Sequence, residues 1–95
     1  MAATVEISLH LPGPLRVYSG GASKLTLGAG TVHDALQQLE REHEALYRNI
    51  CDETGRVRRH LNLFVNSDHI RDLDGMETKL AAGDVLTVLP AVSGG

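Results

Sequence analysis

Gly83-Asp84-Val85-Leu86-Thr87-Val88-Leu89-Pro90 is the stretch whose reading decides the fold. From Val85 to Leu89 only Thr87 interrupts an apolar run, the composition expected of a central strand covered on one side by a helix. Gly83-Asp84 punctuates its start, and Pro90, which has no N–H to give a neighbouring strand, predicts the end of the ladder. Beyond it the chain leaves the expected core as Ala91-Val92-Ser93-Gly94-Gly95.

A central strand needs neighbours and a covering helix, and the rest of the chain supplies both. Thr4 to Leu11 alternates strictly: Val5, Ile7, Leu9 and Leu11 fall on one side, Thr4, Glu6, Ser8 and His10 on the other. That is the period of a half-buried strand. Pro12-Gly13-Pro14 interrupts it, and a second strand is expected near Lys24–Leu27, with Leu15–Ser23 between them as a loop whose path the pattern leaves open. Thr31 followed by Asp34 reads as a helix N-cap with an acidic first turn, so a helix is expected from Val32, presenting Val32, Ala35, Leu36 and Leu39 on one face. Ala45, Leu46, Ile50 and Cys51 extend this region by a further helical turn or two before Asp52-Glu53-Thr54-Gly55 closes it. Leu61–Val65 is rich in strand formers, and Asn66-Ser67-Asp68 should turn it into a short partner around His69–Arg71. Met76–Leu80 is too short to classify.

The order strand, strand, helix, strand, short strand, strand predicts an α+β chain: a mixed sheet of four to five strands wrapped around one main helix. The connection from the second to the third strand would be a right-handed crossover if those strands are parallel. This is the pattern of a β-grasp, ubiquitin-like fold, with residues 1–89 as the domain and 90–95 as a flexible tail.

With 95 residues, 42% of them apolar, the chain suits one compact core and leaves little room for a deep cavity of its own catalytic side chains. Nine Lys plus Arg against twelve Asp plus Glu give a net charge of −3, which is no footprint for a phosphate backbone, and three aromatics make a poor base-stacking platform. Nucleic acid is therefore not an expected partner. Neither a membrane span nor a leader is readable, and the lone Cys51 fits a reducing, cytoplasmic setting.

Attention then falls on Gly94-Gly95. At a glycine usage of roughly 7%, two terminal glycines arise by chance in roughly half a per cent of chains. The chemistry of such an end is more informative than the statistic. Without side chains it can thread a narrow active site and adopt backbone angles closed to other residues. Its carboxylate is a poor electrophile, but AMP transfer from ATP would make it an acyl-adenylate, and sulfur could then displace AMP to leave a nucleophilic thiocarboxylate.

On His60-Leu61-Asn62-Leu63-Phe64-Val65-Asn66, the Gly83–Pro90 strand and the Ala91–Gly95 tail, the chain resembles the ThiS/MoaD-like sulfur carrier family, and within it the cysteine-biosynthesis type. The likeness covers nearly the whole chain; Ser93 stands where alanine is usual, a small residue for a small one. The resemblance implies a protein cosubstrate rather than an enzyme. An E1-like adenylyltransferase and sulfurtransferase would activate Gly95 with ATP, and Pro90, Ala91, Val92, Ser93, Gly94 and Phe64 would meet partners. An acceptor synthase using pyridoxal phosphate would take the sulfur, and a metallopeptidase would free the product, so no cofactor is intrinsic to the chain. The small subunit of a molybdopterin synthase, a sulfur donor for a thiosugar or other natural product, and a ubiquitin-like modifier of lysines remain alternatives.

Other residues read more plainly. Cys51, at a helix end, is expected as a small packing residue. His10, His33, His43, His60 and His69 are scattered without metal-ligand spacing. Arg56, Arg58 and Arg59, like Glu40, Glu42 and Glu44, read as solvated surface. Phe64 is the candidate for an exposed apolar contact, since alternate members of Leu63-Phe64-Val65 must pack against the helix.

Overall fold

A computed structural model describes residues 4–91. Strand β1 (Val5–His10) and strand β2 (Lys24–Ala29) form an antiparallel pair, Leu9 opposite Leu25 and Ile7 opposite Leu27. Helices α1 (Val32–Glu42) and α2 (Glu44–Ile50) follow, then β3 (Leu61–Val65), β4 (Asp68–His69) and β5 (Val85–Pro90). The sheet order is β2-β1-β5-β3-β4, with β5 parallel to β1 and antiparallel to β3. The apolar run that predicts a central strand is thus the middle strand of five, and β2 and β3 run in the same direction with two strands between them.

The alternation of each strand decides which side is covered. Ile7, Leu9, Leu63, Leu86 and Val88 are at most 1% exposed on the inner face, where Val32, Ala35, Leu36 and Leu39 of α1 and Leu46 and Ile50 of α2 meet them. Thr31 caps α1 as its sequence predicts: its backbone is extended and its Oγ1 accepts the Asp34 N–H at 3.1 Å. The Val32 N–H finds the Thr78 carbonyl at 3.1 Å, which gives the short Met76–Leu80 stretch a structural role beside a 3-10 turn at Gly75–Glu77. His43, off helical geometry at φ −142°, separates the two helices.

Three local expectations are corrected. The open stretch after Pro12 is a 3-10 helix, Gly13–Ser19, which drives Leu15 into the core and ends at Gly20 and Gly21, both at positive φ, where glycine carries no Cβ clash. The short partner of β3 lies at Asp68–His69 rather than His69–Arg71. Asn66 takes φ 56°, so the turn consumes only Asn66 and Ser67, and Ile70 then turns inward at the start of a 3-10 turn. Pro90 ends the strand from within: β5 runs one residue past the expected Leu89, with Pro90 as its last residue, opposite Leu61.

Candidate functional site

The geometry around Pro90 explains why proline is tolerated there. The next amide, Ala91 N–H, donates to the His60 carbonyl at 2.8 Å, so it points toward β3. Successive amides alternate between the two edges of a strand, which turns the Pro90 nitrogen toward β1. Pairing with β1 reaches only Thr87, so at Pro90 no ladder hydrogen bond is missing. The central strand is therefore held as far as Ala91, the last described residue and the root of the expected tail. Val92, Ser93, Gly94 and Gly95 lie outside the described residues.

The face of the sheet turned away from the helices is open around this root. Along β5, Leu86 and Val88 face inward while Thr87 and Leu89 face outward, and Leu89 is 43% exposed. Phe64 is half-buried and stands opposite Thr87; Asn62 stands opposite Leu89. Lys24, His10, Thr87, Phe64 and His69 form one row across all five strands. His69 meets Phe64 edge-on, with ring centroids 5.1 Å apart and an interplanar angle of 64°. Of the predicted contact residues, Pro90 and Ala91 follow one another at the end of the central strand, opposite Leu61 and bonded to His60, whereas Phe64 stands three positions back along the ladder, opposite Thr87.

Sequence reasoning missed His69. Its signal was present in the hairpin register: a two-residue turn at Asn66-Ser67 places residue 69 directly opposite residue 64.

Elsewhere the chemistry-bearing residues are occupied structurally. Cys51 is buried, and burial, aided by the nearby Asp52 carboxylate and opposed by Arg58, pushes its thiol up to about 11. It is a packing residue at neutral pH. Asp52 organises its loop, accepting from the Thr54 hydroxyl, the Thr54 N–H and the Arg56 N–H, and these bonds, the hydroxyl first, lower its pKa. Arg58 Nε donates to the Arg48 carbonyl at 2.8 Å near the end of α2. A shallow cleft of about 520 Å³ lies beside α2, edged by Glu40, Tyr47, Arg48, Asp52 and Arg58, and mixes both signs of charge. Among the described residues no three His, Cys, Asp or Glu side chains converge as metal ligands, and no helix is long and apolar enough to cross a membrane.

Residues 9–95 match the model of the ThiS family. The chain belongs to that family. Among its relatives, the sulfur carrier protein CysO of Mycobacterium tuberculosis (strain H37Rv) is 29% identical over 93 residues, 96% of this chain and 100% of that protein. Small archaeal modifier protein 3 of Haloferax volcanii is 40% identical over 65 residues, 68% of this chain and 70% of that one. Among solved structures, a chain of the Amycolatopsis orientalis BexX/CysO complex superposes with a TM-score of 0.82 at 30% identity, covering 94% of this chain and 99% of that one. The mixed five-stranded sheet with its helices is the ubiquitin-like β-grasp of these ThiS-family proteins.

Proposed function

We propose that this ThiS-family chain is a sulfur carrier of the CysO type, a protein cosubstrate whose reacting group is the Gly95 carboxylate. The observation that carries this reading is the central strand β5, which is held to Ala91 and leads straight into the family-matched tail. A Gly95 carboxylate oxygen attacks the α-phosphorus of ATP and pyrophosphate leaves. Hydrosulfide then attacks the acyl carbon, the bond from that carbon to the phosphate oxygen breaks, AMP leaves with the electron pair, and loss of the sulfur-bound proton gives the thiocarboxylate. No side chain of the carrier takes part in these steps.

Reach constrains where the partner sits. Gly95 is four residues beyond Ala91, and fully extended that stretch spans at most about 13–14 Å. An enzyme that draws Gly95 into its active site must therefore press against the surface around Ala91. The open sheet face, with Leu89 and Phe64 as its apolar contacts, is the surface at hand. This fits an E1-like adenylyltransferase and sulfurtransferase as the docking partner, with ATP as its substrate. The CysO chain of Amycolatopsis orientalis likewise forms a complex with its partner BexX.

For the acceptor, the proposal extends to cysteine biosynthesis in the cytoplasm, with a pyridoxal-phosphate synthase taking the sulfur and a metallopeptidase releasing cysteine; the likeness to a sulfur carrier protein supports its carrier part. Co-expression with the activating enzyme of the source organism, in the presence of sulfide, should give an intact mass in which one oxygen is replaced by sulfur, and deleting Gly95 should abolish the change. An unchanged mass, or a change that survives the deletion, would sink the reading. The likeness to small archaeal modifier protein 3 supports a second reading, a modifier joined to lysine amines. Peptides bearing a Gly-Gly remnant on lysine would mark it, since sulfur transfer leaves none.

A further inference from the structure

His69 is held from two sides. Its Nδ1 accepts the Arg71 backbone N–H at 3.1 Å, and its Nε2 lies 2.9 Å from Asn62 Oδ1. A ring nitrogen that accepts an N–H carries no proton, so the ring proton sits on Nε2 and is donated to Asn62 Oδ1. The opposite placement of the Asn62 carboxamide would point an N–H at Nε2. The ring would then have two accepting nitrogens and no proton, which a neutral imidazole cannot provide. The carboxamide therefore has one orientation: Oδ1 toward His69 and the Nδ2 donors away from it.

The residue that carries those donors stands within the apolar contact surface. Asn62 is two residues from Phe64 on the same outward side of β3, and Leu89 lies opposite it on β5. A body that covers Phe64 and Leu89 also takes water away from Asn62 Nδ2. If it presents only hydrocarbon there, an N–H is buried without a partner and binding is penalised. If it presents an acceptor, the same N–H adds directional selectivity. His69 ensures that a donor, rather than the carboxamide oxygen, faces outward.

We infer that Asn62 is a specificity-determining donor of the docking face, held by His69 as a positioning residue, and that the activating partner carries a hydrogen-bond acceptor framed by apolar side chains opposite it. This rests on the carrier reading and on the open sheet face being the surface that docks. The test is ATP-dependent adenylation of the full chain by the E1-like enzyme of the source organism, read as KM and kcat for the carrier, with thermal melts of each variant. Asn62→Asp keeps the shape but puts an acceptor where the donor was, and should raise KM about tenfold with kcat nearly unchanged. His69→Ala should raise KM by a smaller factor, and His69→Gln, whose amide can still donate to Asn62 Oδ1, should recover most of it. Phe64→Ala serves as the control for docking itself. If Phe64→Ala raises KM while Asn62→Asp and His69→Ala leave it at the parent value, the inference is overturned and the docking face stands. If none of the four variants moves KM, the face is wrong and the inference falls with it; if the parent chain is not adenylated at all, the carrier reading fails first.

Discussion

Leu86 and Leu89 are the same residue three positions apart on one strand, yet they belong to different surfaces. Leu86 is fully buried beneath the helices, whereas Leu89 is 43% exposed on the open face beside the tail root. The inner face is closed to solvent: Ile7, Leu9, Leu63 and Val88 are all but fully buried, and packing decides what stands there. The outer face keeps apolar and polar groups side by side, Phe64 and Leu89 with Asn62 and His69, and burial of the chain alone does not account for them. A pair of otherwise identical side chains thus separates what holds the fold from what the fold displays.

The largest expected effect falls on the inner side. Leu86→Ala removes a side chain with 0% exposure from the middle of the sheet. It should cost about 2–5 kcal/mol of unfolding free energy in a urea titration, with the m-value retained. A loss under about 1 kcal/mol would mean that the inner face is more loosely packed than its burial indicates.

Cys51 extends the same idea to pH. Burial first, and Asp52 second, raise its thiol from an ordinary 9.0 to about 11 in the folded state. The folded chain thus holds this proton more tightly than the unfolded chain. The corresponding stability is fully present below pH 9 and is lost as pH rises through about 11. Tyr47 is also raised, chiefly by burial, and acts in the same direction. Unfolding midpoints should therefore fall across this alkaline window less steeply in Cys51→Ala than in the parent. Equal slopes would remove Cys51 as the cause. A smaller effect attaches to the helix that covers the inner face: Thr31→Ala deletes the hydroxyl that accepts the Asp34 N–H, and should cost about 1 kcal/mol in the same titration.

The inner face was largely legible in the sequence because hydrophobic periodicity reports burial. Val32, Ala35, Leu36 and Leu39, the alternation from Val5 to Leu11, and Leu86 and Val88 of the apolar run all carry that signal and pack inward, while Leu89 of the same run stays on the outer face. The expectations that moved depended on backbone detail. The 3-10 helix at Gly13–Ser19 has one buried anchor, Leu15, too few for a period to show. The shift of β4 follows from the left-handed Asn66, and Pro90 stays in the strand because of which edge its nitrogen faces, a fact fixed by pairing rather than by composition. The candidate site was legible in part. Phe64 and the tail carry chemical or family signals, while His69 acquires its role only when the hairpin brings it to Phe64 and Asn62.

The smallest effect on stability is expected at Leu89, and it separates the two faces most sharply. Leu89→Ser should change unfolding free energy by no more than about 0.5 kcal/mol, since the side chain is already substantially in water and the ladder bonds of β5 are made by backbone. Serine keeps the strand free of proline and glycine effects, so a change in activity cannot be traced to the backbone. In the adenylation assay the same substitution removes an apolar contact next to Ala91, on the proposed docking surface, and KM should rise several-fold while kcat holds. Loss of stability comparable to Leu86→Ala would show that Leu89 belongs to the core after all. An unchanged KM with unchanged stability would show that the partner approaches from another side of the tail root, and would move the docking surface away from β3 and β5 without disturbing the chemistry assigned to Gly95.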